Sequence, residues 1–257
     1  MKNPKSILIT GASSGIGEAL ALHYAQPGIF LTLSGRNEER LRDVAQRCQT
    51  KGAIVNPVSI DVSDRAAMQA CMTAVDENHA LDLVIANAGI SGGTGGVMNG
   101  EPIDQARRIF DVNITGVLNT IEPIMPRMIA RRRGQIALVS SMAGFRGFPS
   151  APAYSASKGM VRFYGEALRG AMRESGVEIN VIMPGFVKSR MTDANDFHMP
   201  FLMEAERAAD IIARGLARNR GRIAFPLPTY LGSWFLSILP DFIAQKILGK
   251  LPAKPQQ

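Results

Sequence analysis

Short, continuously apolar runs alternate with longer amphipathic stretches along most of this 257-residue chain. The runs at 5–10, 29–34, 53–59, 81–86, 134–140, 177–183 and 222–225 read as strands. They lack a polar alternation, the habit of a sheet buried on both faces. Between them, 15–26, 38–50, 64–78, 103–130, 151–175 and 204–218 place apolar residues at helical spacing. In the first, Ile16, Leu20 and Tyr24 share a face. Regular strand–helix alternation predicts an α/β fold, a doubly wound parallel sheet of seven strands with helices on both faces. No linker-like stretch interrupts it. One domain is therefore expected over 1–225, followed by an apolar and basic extension over 226–257.

The pattern switches from strand to helix within Thr10-Gly11-Ala12-Ser13-Ser14-Gly15-Ile16-Gly17. Such a junction aims free backbone N–H groups and a positive helix end at an anion. Missing side chains at Gly11, Gly15 and Gly17 let a pyrophosphate approach and let the helix pack on its strand. A plain connecting turn is the alternative, but the position between strand and helix favours a dinucleotide.

Tyr154 and Lys158 stand four apart on a predicted helix and project from one face. A free tyrosine has a pKa of about 10, and bringing it to about 7 takes roughly 4 kcal/mol of differential stabilisation. A nearby ammonium and an oxidised nicotinamide ring both favour phenolate. The bland alternative is a snorkelling surface pair.

In order along the chain stand the Gly-rich turn, Asn87-Ala88-Gly89, Asn113, Ser140-Ser141, Tyr154-x-x-x-Lys158 and Pro184-Gly185. Over roughly 5–225 this array resembles the classical short-chain dehydrogenase/reductase family. The resemblance implies a Rossmann-type sheet, hydride transfer between NAD(P) and a carbonyl or secondary alcohol, and a homodimer or homotetramer. By the same likeness Tyr154 would donate a proton to the carbonyl oxygen, and Lys158 would lower the tyrosine pKa and bond the nicotinamide ribose. Ser141 would hold the carbonyl oxygen, and Asn113 would bind a water relaying protons to Lys158. Ser141 could instead cap a loop, or be confused with Ser140; Asn113 could be a helix-kinking amide. Ser13, Ser14 and Ile16 belong to the phosphate turn. Asp61 would accept from the adenine amine with Val62 beside the ring, or serve as an N-cap, although Ser63 and Asp64 would cap more directly. Asn87, Ala88 and Gly89 would hold the sheet and leave space for the cofactor. Pro184, Gly185 and Val187 would flank the nicotinamide, and Ser189 stands where the family often has threonine.

The second strand ends Leu33-Ser34-Gly35-Arg36-Asn37. A carboxylate there would repel a 2′-phosphate; none is present. Arg36, assisted by Ser34 and Asn37, suits a phosphate dianion, so NADP(H) is expected over NAD(H). The segments 142–152 and 186–203 carry Met142, Phe145, Phe148, Phe186, Met191 and Phe197. They predict an apolar pocket for a bulky or acyl-chain ketone, or a packed lid. A 3-oxoacyl-carrier reductase is the near alternative, and a non-catalytic NADP-binding regulator the distant one.

The net charge is +7, and Arg131-Arg132-Arg133 is the densest basic run. No aromatic residues interleave with it, so nucleic acid is not expected, and a solvated helix cap is. Cys48 and Cys71 fall on predicted helices, and the three histidines lack ligand spacing, so neither a disulfide framework nor a metal site is expected. The first strand begins almost at once, and a cytoplasmic protein is expected.

In the extension Leu231, Trp234, Phe235, Ile238 and Phe242 recur at helical spacing, interrupted by Pro240 and Asp241. This falls short of the about 20 apolar residues of a bilayer span. The segment folds back over the substrate pocket or forms a subunit interface. Alternatively it lies on a membrane surface, with Lys246, Lys250 and Lys254 near anionic headgroups.

Overall fold

A computed structural model describes residues 2–96, 100–250 and 254–256. Its strands are β1 (Ser6–Thr10), β2 (Phe30–Gly35), β3 (Ile54–Ser59), β4 (Leu83–Ala86), β5 (Gly134–Val139), β6 (Val177–Pro184) and β7 (Arg222–Phe225). All pair in parallel, in the order β3-β2-β1-β4-β5-β6-β7. The order reverses between β1 and β4, and such a switch opens a crevice beyond the carboxyl ends of the strands.

Alternate residues of β1 face opposite layers. Ile7 and Ile9 pack with Leu20 of α1 (Gly15–Tyr24), Leu41 of α2 (Glu38–Thr50) and Ile212 of α9 (Ala205–Ala217). Leu8 joins Met68 and Met72 of α3 (Arg65–Asn78), Ile121 of α5 (Gly116–Ile121) and Val161 of α7 (Pro152–Ala171). Burying both faces is what the unbroken apolar runs require.

The outermost strand departs from that pattern. β3 is an edge strand with half-exposed or exposed positions throughout, and Ile54 is largely in solvent. Pro57 lies within it, a residue that only an edge tolerates.

The helix expected over 103–130 is four pieces. These are α4 (Ile103–Phe110), a π turn (Asp111–Thr115), α5 and α6 (Met125–Ala130). Pro123 precludes a continuous ladder, and Pro126 starts the next helix in its first turn. The π turn contains Asn113. α7 runs shorter than the expected 151–175, and its entry is fixed from outside. The Glu101 carboxylate accepts from the Ala153 backbone N–H at 2.8 Å. Glu101→Ala is expected to lower unfolding free energy by about 1 kcal/mol in urea titrations, the cost of losing a cap.

The arginine run is not a solvated cap. Arg131 pairs with buried Asp76 at 2.8 Å and donates to the Leu81 carbonyl, while Arg133 pairs with Asp82 at 2.9 Å. Arg132 donates to the Glu174 carbonyl. The run clamps the loops at the amino ends of the strands.

The extension forms α10 (Leu227–Ile238) and α11 (Asp241–Leu248), parted at Pro240. Arg146 fastens it, donating to the Leu236 and Leu239 carbonyls at 3.0 Å and pairing with Asp241 at 2.8 Å. Thr229, Ser233 and Leu236 line the crevice, whereas Leu231, Trp234, Phe235 and Phe242 are exposed. Among the described residues no helix is long and apolar enough to cross a membrane. Lys254 does not join an outward basic face; it turns into the crevice.

Candidate active site

Thr10 ends β1, and Gly11 (φ +65°) and Gly15 (φ +58°) turn the chain through left-handed conformations. A Cβ on Gly11 would lie 2.8 Å from Ala88 Cα, and one on Gly15 2.9 Å from Ser189 Cβ. Gly17 has a different task. Its Cβ would meet the Gly11 carbonyl at 2.3 Å, so it seats α1 under the turn and does not line the crevice. Ser14 stands at the N-cap without a side-chain cap bond. Gly11, Ser13, Ser14, Gly15 and Ile16 form one wall of the crevice.

Hydrogen bonds bind the ends of β1 and β4 together. Asn87 Nδ2 donates to the Thr10 and Gly11 carbonyls at 2.9 and 3.2 Å. Thr10 Oγ1 accepts from the Asn87 and Ala88 N–H groups at 3.0 Å each. Ala88 and Gly89 follow along the crevice floor.

After β2, Arg36 reaches the crevice half-exposed, 3.8 Å from Asp61. Asn37 also lines it, but its Oδ1 accepts from the Arg40 N–H as the cap of α2. Ser34 is misassigned as a crevice residue. It is fully buried within the sheet, and its hydroxyl has no partner among the described residues. Asp61 accepts from the Ser63 N–H and hydroxyl at 2.9 and 2.8 Å, while Asp64 caps α3. Burial pushes the Asp61 carboxyl up, but the Ser63 hydrogen bonds and Arg36 outweigh it and hold the group below its usual value. Val62 lies beside it on the wall.

The opposite wall carries Ser141, Tyr154 and Lys158. Ser141 caps a short 3-10 turn (Met142–Phe145), its Oγ accepting from the Ala143 N–H at 3.1 Å. Ser141 also stands close enough to the Tyr154 phenol to pull its pKa down. Ser140 is distinct: it is buried and donates to the Lys158 carbonyl at 2.7 Å. Lys158 Nζ donates to the Val139 carbonyl at 3.0 Å and lies 5.8 Å from the centre of the Tyr154 ring. Burial pulls the Lys158 ammonium down to about 8. Burial pushes the Tyr154 phenol up, against the downward pull of Ser141. The phenol is therefore raised rather than lowered, because burial is the larger influence.

Asn113 supports this wall from behind. Its Oδ1 accepts from the Ile90 N–H at 2.8 Å, and its Nδ2 donates to the Ile90 carbonyl and Ser157 Oγ at 2.9 and 3.0 Å. Both amide N–H groups are thus taken by protein partners, and Oδ1 keeps one further lone pair. Pro184 and Gly185 end β6 at the crevice. Val187 bridges to Met203 below it, and Ser189 caps α8 (Arg190–Asp193) with a capping box to Thr192. The whole crevice encloses about 1110 Å³.

Residues 5–199 match the short chain dehydrogenase family. The chain belongs to that family. An uncharacterised oxidoreductase of Myxococcus xanthus is 39% identical over 240 residues, covering 92% of this chain and 93% of that protein. A solved short chain dehydrogenase/reductase of Burkholderia phymatum, in complex with NAD, is 26% identical with a TM-score of 0.82, covering 99% of this chain and 98% of that one. A 3-oxoacyl-[acyl-carrier protein] reductase of Brucella melitensis with bound NAD is 27% identical with a TM-score of 0.73, covering 86% and 89%. A Sphingobium yanoikuyae short-chain dehydrogenase in complex with NADPH shares the fold, at 24% identity with a TM-score of 0.80, covering 96% of each chain. This short-chain dehydrogenase is thus an oxidoreductase, and the solved relatives bind a nicotinamide dinucleotide.

Its crevice fits such a group by its own geometry. Side chains at Gly11 and Gly15 would collide with Ala88 and Ser189 where the crevice narrows, and the uncapped start of α1 faces the same space. At the other end Arg40, overlooked in the sequence, lines the crevice with its buried Nε unpartnered among the described residues. A signal for it did exist. A cation in the first turn of a helix opposes the helix dipole, and needs an anion nearby to justify it.

Proposed function

We propose that this short-chain dehydrogenase reduces a hydrophobic ketone to a secondary alcohol with NADPH. The observation that carries the reading is the Ser141–Tyr154–Lys158 group on the crevice wall, with Tyr154 half-buried and Lys158 Nζ 5.8 Å from the centre of its ring. The Gly11–Gly15 turn would hold the dinucleotide, whose chemistry would be hydride donation to the carbonyl carbon. Tyr154 gives its proton to the carbonyl oxygen, which becomes the alcohol hydroxyl. Ser141 orients that oxygen, and Lys158 places positive charge beside the phenol as negative charge grows. Asn113 acts as a positioning residue, holding the Ile90 backbone and Ser157 behind Lys158. Met142, Phe148, Phe186 and Leu236 give the crevice its apolar end.

The test is NADPH consumption with a panel of apolar ketones, extended to 3-oxoacyl thioesters on an acyl carrier. The thioesters address the second reading, which the Brucella melitensis relative supports. Binding of NADPH without turnover of any carbonyl would favour a regulator and defeat the proposal.

Arg36 and Arg40 support NADPH over NADH, because both guanidinium groups bound the crevice beyond β2 where a 2′-phosphate would lie. Arg36→Ala with Arg40→Ala is expected to lower the NADPH-to-NADH ratio of kcat/KM at least about tenfold, the value of one lost charged hydrogen bond. An unchanged ratio would remove both residues from cofactor choice.

A further inference from the structure

Residues 254–256 lie against the loop that follows Gly89 and bring an ammonium to the reacting end of the crevice. The Lys254 carbonyl accepts from the Gly95 N–H at 2.9 Å, and Gln256 Nε2 donates to the Thr94 carbonyl at 3.1 Å. A Cβ on Gly93 would lie 2.3 Å from the Lys254 carbonyl, so the segment seats only because that position is glycine. Lys254 Nζ donates to Ser91 Oγ and stands 4.8 Å from the centre of the Tyr154 ring. The phenol is thus flanked by two ammonium groups, Lys158 and Lys254.

The two ammonium groups are placed differently. Lys158 is enclosed and spends a hydrogen bond on Val139. Lys254 faces the open crevice, and no carboxylate among the described residues pairs with it. Asp61 is the one carboxylate among the described lining residues, and it belongs to the adenosine end with Arg36. A partly desolvated cation without a counter-ion is costly, and an anionic ligand relieves that cost. Burial brings the Lys254 ammonium down to about 8, which leaves it mostly charged at neutral pH.

We infer that Lys254 is a specificity-determining residue, selecting a substrate that joins an apolar body to an anionic group such as a carboxylate. This deepens the ketone-reductase reading and rests on it, because it takes the end of the crevice beside Tyr154 as the substrate site. The carboxylate meets Lys254 while the apolar part lies along Met142, Phe148 and Leu236.

Equilibrium binding tests this without any turnover. Octanoate and its neutral isostere octanamide are titrated calorimetrically into the full chain saturated with NADP. Wild type is expected to bind octanoate at least tenfold more tightly. Lys254→Gln abolishes that preference, Lys254→Arg retains it, and both bind NADP within twofold of wild type. Equal binding of the two probes, binding of neither, or a preference that survives in Lys254→Gln overturns the inference. So does a parallel loss of NADP affinity, which would make Lys254 a cofactor contact. Because neither probe is a ketone, failure of the reductase proposal itself would appear separately, in the turnover panel.

Discussion

Tyr154→Phe is expected to lower carbonyl reduction by about 100- to 10,000-fold, the range for removing a positioned general acid. The substitution keeps the ring against both ammonium groups and deletes one oxygen. Folding and NADPH affinity should therefore change little. The main-chain anchors of the neighbourhood do not involve the phenol: Ser141 still accepts from Ala143, and Lys158 still donates to Val139. The pH dependence follows from the direction of the shift. Burial holds the phenol above its ordinary value, so it stays protonated through neutral pH. Reduction needs the protonated phenol and the charged Lys158, so it should be level from pH 6 to 7 and fall as the Lys158 ammonium loses its proton around 8. Oxidation of the alcohol needs phenolate and should rise with pH over the alkaline range. Single-turnover mixing of NADPH-loaded enzyme with a competent ketone measures the chemical step directly. A variant retaining more than about a tenth of wild-type rate would assign the proton to another group.

The sheet was legible because a buried parallel strand leaves a continuous apolar run. It was least legible at β3, where an edge strand keeps a proline and an exposed isoleucine. Glycine at 11 and 15 was readable because the turn needs left-handed backbone there. Gly17 was read for helix packing as well as for pyrophosphate approach, and its closeness to the Gly11 carbonyl leaves it the packing role. Ser34 and Arg40 show the limit most clearly. Which way a residue at a strand end points depends on register, and Ser34 turns inward while Arg40, a full turn into α2, turns to the crevice. The arginine run was misread because its partners, Asp76 and Asp82, are about 50 residues distant. Lys254 was misread with Lys246 and Lys250 as an outward basic series spaced four apart. It reaches Tyr154 by tertiary folding of the chain end against Gly93 and Gly95.

Lys158→Met should produce opposite changes in activity and stability. Reduction is expected to fall by about 100- to 1000-fold, as for loss of a group that stabilises developing charge. At pH 7 the variant should nevertheless be more stable than wild type. The folded Lys158 ammonium lies at about 8 against 10.5 for the free group, because burial opposes its charge. That difference corresponds to roughly 3 kcal/mol that the charged side chain takes from wild-type stability. The methionine leaves the Val139 carbonyl without its donor, which returns about 1 kcal/mol. A net gain of about 2 kcal/mol is expected. Its pH dependence carries a definite sign. Below pH 8 both folded and unfolded wild type hold the proton, and the penalty is complete. Between about 8 and 10.5 the unfolded chain keeps a proton that the folded chain has lost, so wild-type stability climbs relative to the variant. Above that window the lysine is neutral in both states, and the methionine loses its advantage. Urea unfolding of both proteins at pH 7 and pH 10 measures the change. A stability difference that does not narrow between these values would mean that Lys158 is solvated in the folded enzyme, and would remove the desolvated ammonium from the proposed proton donor's surroundings.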